Sequence, residues 1–260
     1  MVIIHSYFDN KFTKTSRFDK DIYLQAELSV KFLKKYGYNV ILFTDNEHLK
    51  RIKYYDDIKT INIADYKLPK VFWSGSKLIS CLNVNEDYIH LDIDLFLIED
   101  IIKDHLSKNF FCLHNEPYLT EYNKTTHKIP SHIVTKLDLD VDNIECKNMS
   151  IFGGNYKVIN NIIQKVIDIA SNNYSETYNI LKDMPQYNWI HSVFYEQLLL
   201  TNSKISKPIP IFNFPKNYDN TRAYFFLKKH GIYHLWFNKQ EIDRLVGIEK
   251  YLKSIETLFL

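Results

Sequence analysis

The stretch Asp87–Ile98 reads Asp-Tyr-Ile-His-Leu-Asp-Ile-Asp-Leu-Phe-Leu-Ile, and no other segment says as much about the fold. Ile89, Leu91, Ile93, Leu95 and Leu97 share one parity, while His90, Asp92 and Asp94 share the other. Successive side chains of an extended chain point to opposite faces, so the pattern predicts a strand with both carboxylates on one side. Two like charges this close at a strand end are unfavourable unless something neutralises them. Mg²⁺ and Mn²⁺ prefer carboxylate oxygens and keep positions open for phosphate oxygens. Asp92 and Asp94 are therefore the first candidate metal ligands.

Upstream of this stretch, Val2–Tyr7 predicts a buried strand and Asp19–Tyr36 a helix closed by Gly37, with Ile22, Ala26, Val30 and Leu33 at helical spacing. Asn39–Phe43 predicts a second strand ending at Thr44-Asp45, Glu47–Tyr54 a short helix, Thr60–Ile63 a strand, and Trp73–Leu82 a helix. Strands alternating with helices give an α/β fold with a central, mostly parallel sheet flanked by helices. Such sheets bind ligands beyond the carboxyl ends of their strands. Downstream, Asn115–Lys147 is polar and aperiodic and contains Pro117 and Pro130, which predicts a long functional loop. Val158–Ala170 and Asn188–Leu200 predict helices, Pro208, Pro210 and Pro215 an extended connection, Ile232–Phe237 a short apolar run, and Lys239–Leu258 a final helix. The expected organisation is one domain over residues 1–238 and a helical tail over 239–260 packed on it. The tail's mixture of lysines and apolar residues also suits peripheral contact with an anionic membrane.

Composition narrows the function classes. The chain has 33 Lys plus Arg against 31 Asp plus Glu, so there is no basic excess to suit a nucleic acid. Cys81, Cys112 and Cys146 are odd in number and widely spaced, as expected of reduced thiols in the cytoplasm rather than a disulfide framework or zinc knuckle. Met1–His5 is apolar over too few residues for a signal peptide, and no window is long and apolar enough to span a membrane. Glycine numbers only 6, where average usage gives roughly 18, which argues against glycine-rich phosphate loops. Gly153 and Gly154 nevertheless stand side by side ahead of the Val158 helix. They predict a close backbone approach to a bound group, or a positive φ.

Tyr88–Leu97 resembles the DxD segment of GT-A fold glycosyltransferases, and other segments follow in the matching order. Lys77 resembles the basic residue on the helix before the DxD strand. Asn148–Gly154 (Asn-Met-Ser-Ile-Phe-Gly-Gly) resembles the segment after the acceptor loop, with Ser150 in place of a usual glycine. Glu196-Gln197 resembles an acidic-Gln pair on a later helix. His234–Lys239 resembles the C-terminal His…Lys element, although here the spacing is shorter. The set is similar to glycosyltransferase family 8 and to bacterial GT-A-like proteins.

The resemblance implies a GT-A (Rossmann-like, nucleotide-diphospho-sugar transferase) fold. It implies metal-dependent transfer of a sugar from a nucleotide-sugar donor, a UDP-sugar foremost, to a hydroxyl of a glycan or lipid-linked glycan acceptor. It favours a retaining reaction and a place in bacterial surface-glycan synthesis, in the cytoplasm or at the inner face of the membrane. It further implies that Asp92 and Asp94 bind Mn²⁺ or Mg²⁺, that His234 is a third ligand and that Lys239 contacts the diphosphate. Lys77 would face the donor, and Glu196 and Gln197 would lie under the transferred sugar. Elementary chemistry agrees: neutral imidazole suits Mn²⁺ beside carboxylates, and a cation on a diphosphate stabilises it as a leaving group. An inverting route would instead need a base, for which Glu116 and Glu196 are candidates. His114, His127 and His132 are not spaced as a metal set. Two alternatives are a sugar nucleotidyltransferase, whose glycine-rich N-terminal signature is missing from Val2–Lys11, and a non-catalytic glycan-binding protein of the same fold.

Overall fold

The computed structural model describes residues 1–9, 21–69, 72, 74–116, 129–181, 192–204, 207–215, 218–235, 242 and 246–260. In chain order the elements are β1 (Val2–Tyr7), α1 (Ile22–Lys35), β2 (Val40–Thr44), β3 (Asp57–Lys59), α2 (Gly75–Leu82), β4 (Tyr88–Leu91), β5 (Leu95–Leu97) and β6 (Phe110–Asn115). They continue with α3 (Ser131–Leu137), β7 (Lys147–Gly154), α4 (Tyr156–Asn172), α5 (Tyr174–Leu181), a π-helical segment Val193–Leu199, β8 (Ile209–Phe212), α6 (Asn220–Lys229), β9 (Ile232–His234) and a last helix Ile248–Phe259.

Seven strands form one sheet in the order β3-β2-β1-β4-β7-β6-β8. Only β7 runs against its neighbours; the other pairs are parallel. Helices cover both faces. Leu78 and Ile79 of α2 and Ile159, Ile163 and Val166 of α4 pack with Tyr88 and Phe152, while Ala26, Val30 and Leu33 of α1 pack with Ile3, Leu42 and Ile89. This is the mixed α/β, mostly parallel sheet predicted from the alternation of strands and helices. Its inner strands are continuous apolar runs because both faces are covered. Connections from β1 run outward through β2 to β3, whereas β4 lies on the other side of β1. The carboxyl edge of the sheet therefore has a switch point between β1 and β4, where ligands bind in open α/β sheets.

Local predictions fail where pairing or packing overrides pattern. Asp87–Ile98 is not one strand. Leu95 N–H donates to the Asp92 carbonyl at 3.1 Å, which turns the chain and splits the segment into β4 and β5. β5 then leaves the main sheet and pairs antiparallel with β9. The helix predicted over Glu47–Tyr54 is a single 3₁₀ turn, Leu49–Arg51. The strand predicted over Thr60–Ile63 lies earlier, at Asp57–Lys59, because Ile58 pairs with Leu42 and the Asp56 carboxylate accepts the Val40 N–H. Within the predicted Asn115–Lys147 loop, Ser131–Leu137 is helical, and residues 117–128 lie outside the described set. Of the predicted Asn188–Leu200 helix, the described part is π-helical over Val193–Leu199. The proline-marked connection contains β8, an edge strand, where Pro210 needs no ladder N–H.

The glycine pair has an internal explanation. Gly153 lies between Ile89 and Phe111, and Gly154 between Tyr88 and Phe110, on the two neighbouring strands. A Cβ on Gly153 would sit 2.5 Å from the Tyr88 carbonyl oxygen, and one on Gly154 2.4 Å from that of Asn109. Gly154 also has φ +133°. The predicted close approach is thus made by neighbouring backbone rather than by a bound sugar. The next residue, Asn155, caps α4 by accepting the N–H groups of Lys157 and Val158.

In the tail, residues 239–241 and 243–245 lie outside the described set. Ile248, Leu252 and Ile255 of the last helix are buried against Leu28 and Phe32 of α1 and Phe96 of β5. Lys31 of α1 and Glu256 close this contact at 2.7 Å. Part of the apolar face considered for a membrane is therefore covered by the domain, while Val246, Leu258 and Leu260 stay exposed. Among the described residues no helix is long and apolar enough to cross a membrane.

Candidate functional site

The site grows from the end of β4. Asp92 N–H donates to the Ser150 carbonyl on β7 at 2.8 Å, which anchors the turn that follows. That turn carries Asp94 to the start of β5, and β5 pairs Leu95 with His234 of β9. Leu235 N–H then donates to the Asp94 carbonyl at 3.1 Å. The small second sheet thus brings His234 to two carboxylates roughly 140 positions earlier in the chain. One ligand atom from each of Asp92, Asp94 and His234 lies within 4.8 Å of the others. His234 Nε2 is 3.7 Å from Asp94 Oδ1 and 3.5 Å from Ser150 Oγ. His234 is buried, whereas Asp92 keeps 30% and Asp94 17% of its side chain exposed, so the cluster opens on its carboxylate side. Two carboxylates and one imidazole, at separations that ~2.1 Å metal bonds reach with a small contraction, fit Mn²⁺ or Mg²⁺.

Beneath the cluster lies a buried ion network. Lys77 reaches inward from α2, and its ammonium meets Asp92 Oδ1 at 2.8 Å, Glu196 Oε1 at 2.6 Å and the Met149 carbonyl at 2.8 Å. Those three acceptors match its three protons. Burial works against the Lys77 charge, but Asp92 and Glu196 outweigh it and hold the ammonium above the ordinary lysine range. Burial pushes Asp92 up, with Asp94 adding to the push, and Lys77 pulls it back. Burial pushes Glu196 up too, again opposed by Lys77. Lys77, the lysine expected to face a donor, pairs with a candidate metal ligand and a buried glutamate.

Glu196 and Gln197 sit on the π-helical segment, where Leu200 N–H reaches back to the Tyr195 carbonyl. Such widened turns are frequent at functional sites. Gln197 Oε1 is buried and accepts no hydrogen bond among the described residues. On the other flank, Asn148 Nδ2 donates to Glu116 Oε1 at 2.7 Å and Asn148 Oδ1 accepts the Ser150 N–H at 3.0 Å. A polar row therefore runs from Glu116 through Asn148 and Ser150 to His234. Sequence reading quoted Asn148 only as part of a motif. Its signal was the alternation of polar Asn148 and Ser150 with apolar Met149 and Ile151 along the strand.

His90, His5, His114 and His132 are structural or lie on the surface. His90 accepts or donates to Ser6 Oγ at 2.8 Å and stacks on Phe152, and burial holds it well below the usual histidine range. His5 meets Tyr55 OH at 2.8 Å, and Ser29 beside it donates to the Leu95 carbonyl, supporting the turn from below. Burial lowers His5 and His114 to about 3. His132 pairs with Glu176 on the surface. Lys239 and His127 lie outside the described residues. Gly153 and Gly154 lie at the far end of β7 and are not brought to the cluster.

Residues 1–257 match the family described as "Family of unknown function (DUF6734)". The chain belongs to that family. No curated protein matches this DUF6734 chain. Among solved structures it is similar to the glycosyltransferase GlyE of Streptococcus pneumoniae TIGR4, at 12% sequence identity and a TM-score of 0.45. That alignment covers 90% of this chain and 54% of the other, so the DUF6734 chain spans about half the length of the GlyE chain.

Proposed function

We propose that this protein is a metal-dependent glycosyltransferase of the GT-A kind. It would move a sugar from a nucleotide-diphosphate donor, a UDP-sugar first of all, to a hydroxyl of a glycan or lipid-linked glycan in bacterial surface-glycan synthesis. One observation carries this reading: Asp92, Asp94 and His234 converge, half open, at the carboxyl edge of the sheet beside its switch point.

Asp92, Asp94 and His234 would hold Mn²⁺ or Mg²⁺. When bound, the cation supplies positive charge that stabilises a departing diphosphate. Asp94, the carboxylate not tied to Lys77, is the more direct ligand in this reading. Ser150 and the β5–β9 pairing fix the imidazole, so that little reorganisation accompanies binding. Lys77 holds Glu196 in place beneath the centre, and Gln197 follows it toward the transferred sugar. Both flanking carboxylates are engaged, Glu196 by Lys77 and Glu116 by Asn148, which favours retention over a route needing a carboxylate base.

The test is donor hydrolysis by chelator-stripped protein across a panel of nucleotide sugars. Nucleoside diphosphate release should require Mn²⁺ or Mg²⁺ and fall by at least about 100-fold in Asp94→Ala, since even outer-shell changes cost 10- to 100-fold at metal sites. Release that persists in EDTA, or in Asp94→Ala, refutes the metal role. Binding of a glycan without any nucleotide sugar would favour the non-catalytic alternative.

A further inference from the structure

The oxygens around the Lys77 ammonium form a cation seat of their own. Asp92 Oδ1, Glu196 Oε1 and the Met149 carbonyl lie 2.6 to 2.8 Å from Nζ, and Lys77 and Glu196 are nearly inaccessible to solvent. These are ordinary distances for an ammonium hydrogen-bonded to oxygen. They are too long for Mg²⁺, which demands about 2.0–2.1 Å. Asp92 also belongs to the open cluster with Asp94 and His234. One carboxylate therefore faces two cation positions, one filled permanently from within the chain and one reachable from solvent.

We propose that Asp92 is a bridging carboxylate between a built-in monovalent cation, the Lys77 ammonium, and a single divalent ion. Lys77 is then a positioning residue. It orients Asp92, holds Glu196 against the same charge and fixes the number of divalent ions at one. The seat itself follows from the contacts around Nζ; the divalent half of the bridge rests on the metal reading given under Proposed function.

Lys77→Ala empties the seat without removing its oxygens. Its melting temperature should fall by several degrees and recover in a saturable way with methylammonium chloride. Tetramethylammonium chloride at equal ionic strength, too bulky and without N–H donors, should not restore it, and wild type should respond to neither. Chelator-stripped wild type should bind one Mn²⁺ by electron paramagnetic resonance titration. Lys77→Ala should bind a second Mn²⁺ in the vacated seat, and methylammonium should return the count to one, a response that lost packing alone would not give. If Lys77→Ala is insoluble, refolding yield with methylammonium against tetramethylammonium makes the same comparison. One Mn²⁺ in wild type with no methylammonium-specific response in Lys77→Ala overturns the seat and leaves the metal reading standing. Two Mn²⁺ in wild type overturn the single-ion count. A wild type that binds none overturns the metal reading and the bridge together.

Discussion

Replacing Gly154 by alanine separates a glycine required by the sheet from one required by a ligand. Its added Cβ would lie 2.4 Å from the Asn109 carbonyl oxygen and 2.6 Å from the Asn109 carbonyl carbon, backbone atoms just before β6 whose carbonyl accepts the Asn155 N–H at 2.8 Å. Overpacking of this kind costs about 1–3 kcal/mol. The φ of +133° adds a strain of about 1–3 kcal/mol for a residue with a side chain. The two contributions can be measured apart. Gly153→Ala meets the Tyr88 carbonyl oxygen at 2.5 Å but carries no positive φ, so it should lose about 1–3 kcal/mol. Gly247→Ala, at φ +82° with nothing within 4 Å, should lose about 1–2 kcal/mol from conformation alone. Gly154→Ala should lose about 2–6 kcal/mol, which at about 2–4 °C per kcal/mol is a fall in Tm on the order of 10 °C. Urea unfolding of the three variants with Mn²⁺ titration of the folded protein supplies the comparison. Gly154→Ala within about 0.5 kcal/mol of wild type, or a loss of Mn²⁺ affinity at full stability, would refute the assignment of this glycine to strand packing.

Other consequences are equally direct. His234→Ala should abolish most of the thermal stabilisation that Mn²⁺ gives the wild type, because a ligand raises stability only through the folded state it binds; an unchanged Mn²⁺ shift removes His234 from the centre. His5 and His114 stay neutral in the fold down to about pH 3, whereas in the unfolded chain they protonate near 6.5. The unfolded state therefore binds more protons as pH falls below 6.5, and each histidine should cost about 2 kcal/mol between pH 7 and pH 5. His114→Phe should flatten urea-derived stability over that range by its own share, and an identical pH slope contradicts the burial argument. Cys81, Cys112 and Cys146 are buried, and burial pushes each thiol up. Ellman's reagent should titrate none rapidly in native protein and all three in denaturant; a fast native thiol would contradict their burial.

Asp92 and Asp94 were legible because their meaning is local, two carboxylates set into an apolar alternation. The turn between them was not, because Ile93 fits an extended chain as well as a bent one. What bends it is the pairing of β5 with β9, far along the sequence. His234 could be named from a motif, but only that pairing explains its position. Lys77 was placed on the correct helix, but its contacts with Asp92 and Glu196 were not legible, since helical periodicity cannot say which carboxylate lies above an inward-pointing lysine. β6 was missed because His114 and Asn115 dilute its apolar run, and β8 because Pro210 argues against a strand anywhere but a sheet edge. α6 has a weak apolar stripe, with Ala223, Tyr224 and Leu227 buried among lysines and exposed aromatics. Both ends of β1 and the end of α2 fall where the apolar pattern put them, whereas α4, capped by Asn155, starts two residues before the predicted Val158.

The reversed strand β7 has a consequence for how this chain can change. β6 arrives at the carboxyl edge and β7 departs from it, so Asn115 and Lys147 stand as paired neighbours at the rim of the centre. The described residues between them are built into the fold: Ile133, Leu137, Leu139 and Ile144 are buried in the main core, Leu139 bridges to Ser203, and Asp140 pairs with Lys207 at 2.6 Å. The entropy of closing a segment grows only slowly with its length, so what limits change here is this core packing rather than the span between two adjacent strand ends. Asp92, Asp94 and His234 are fastened through β4, β5 and β9, none of which lies between Asn115 and Lys147. Substitutions in residues 129–146 should therefore lower stability through the core first and leave the Asp92, Asp94 and His234 corner on elements of its own.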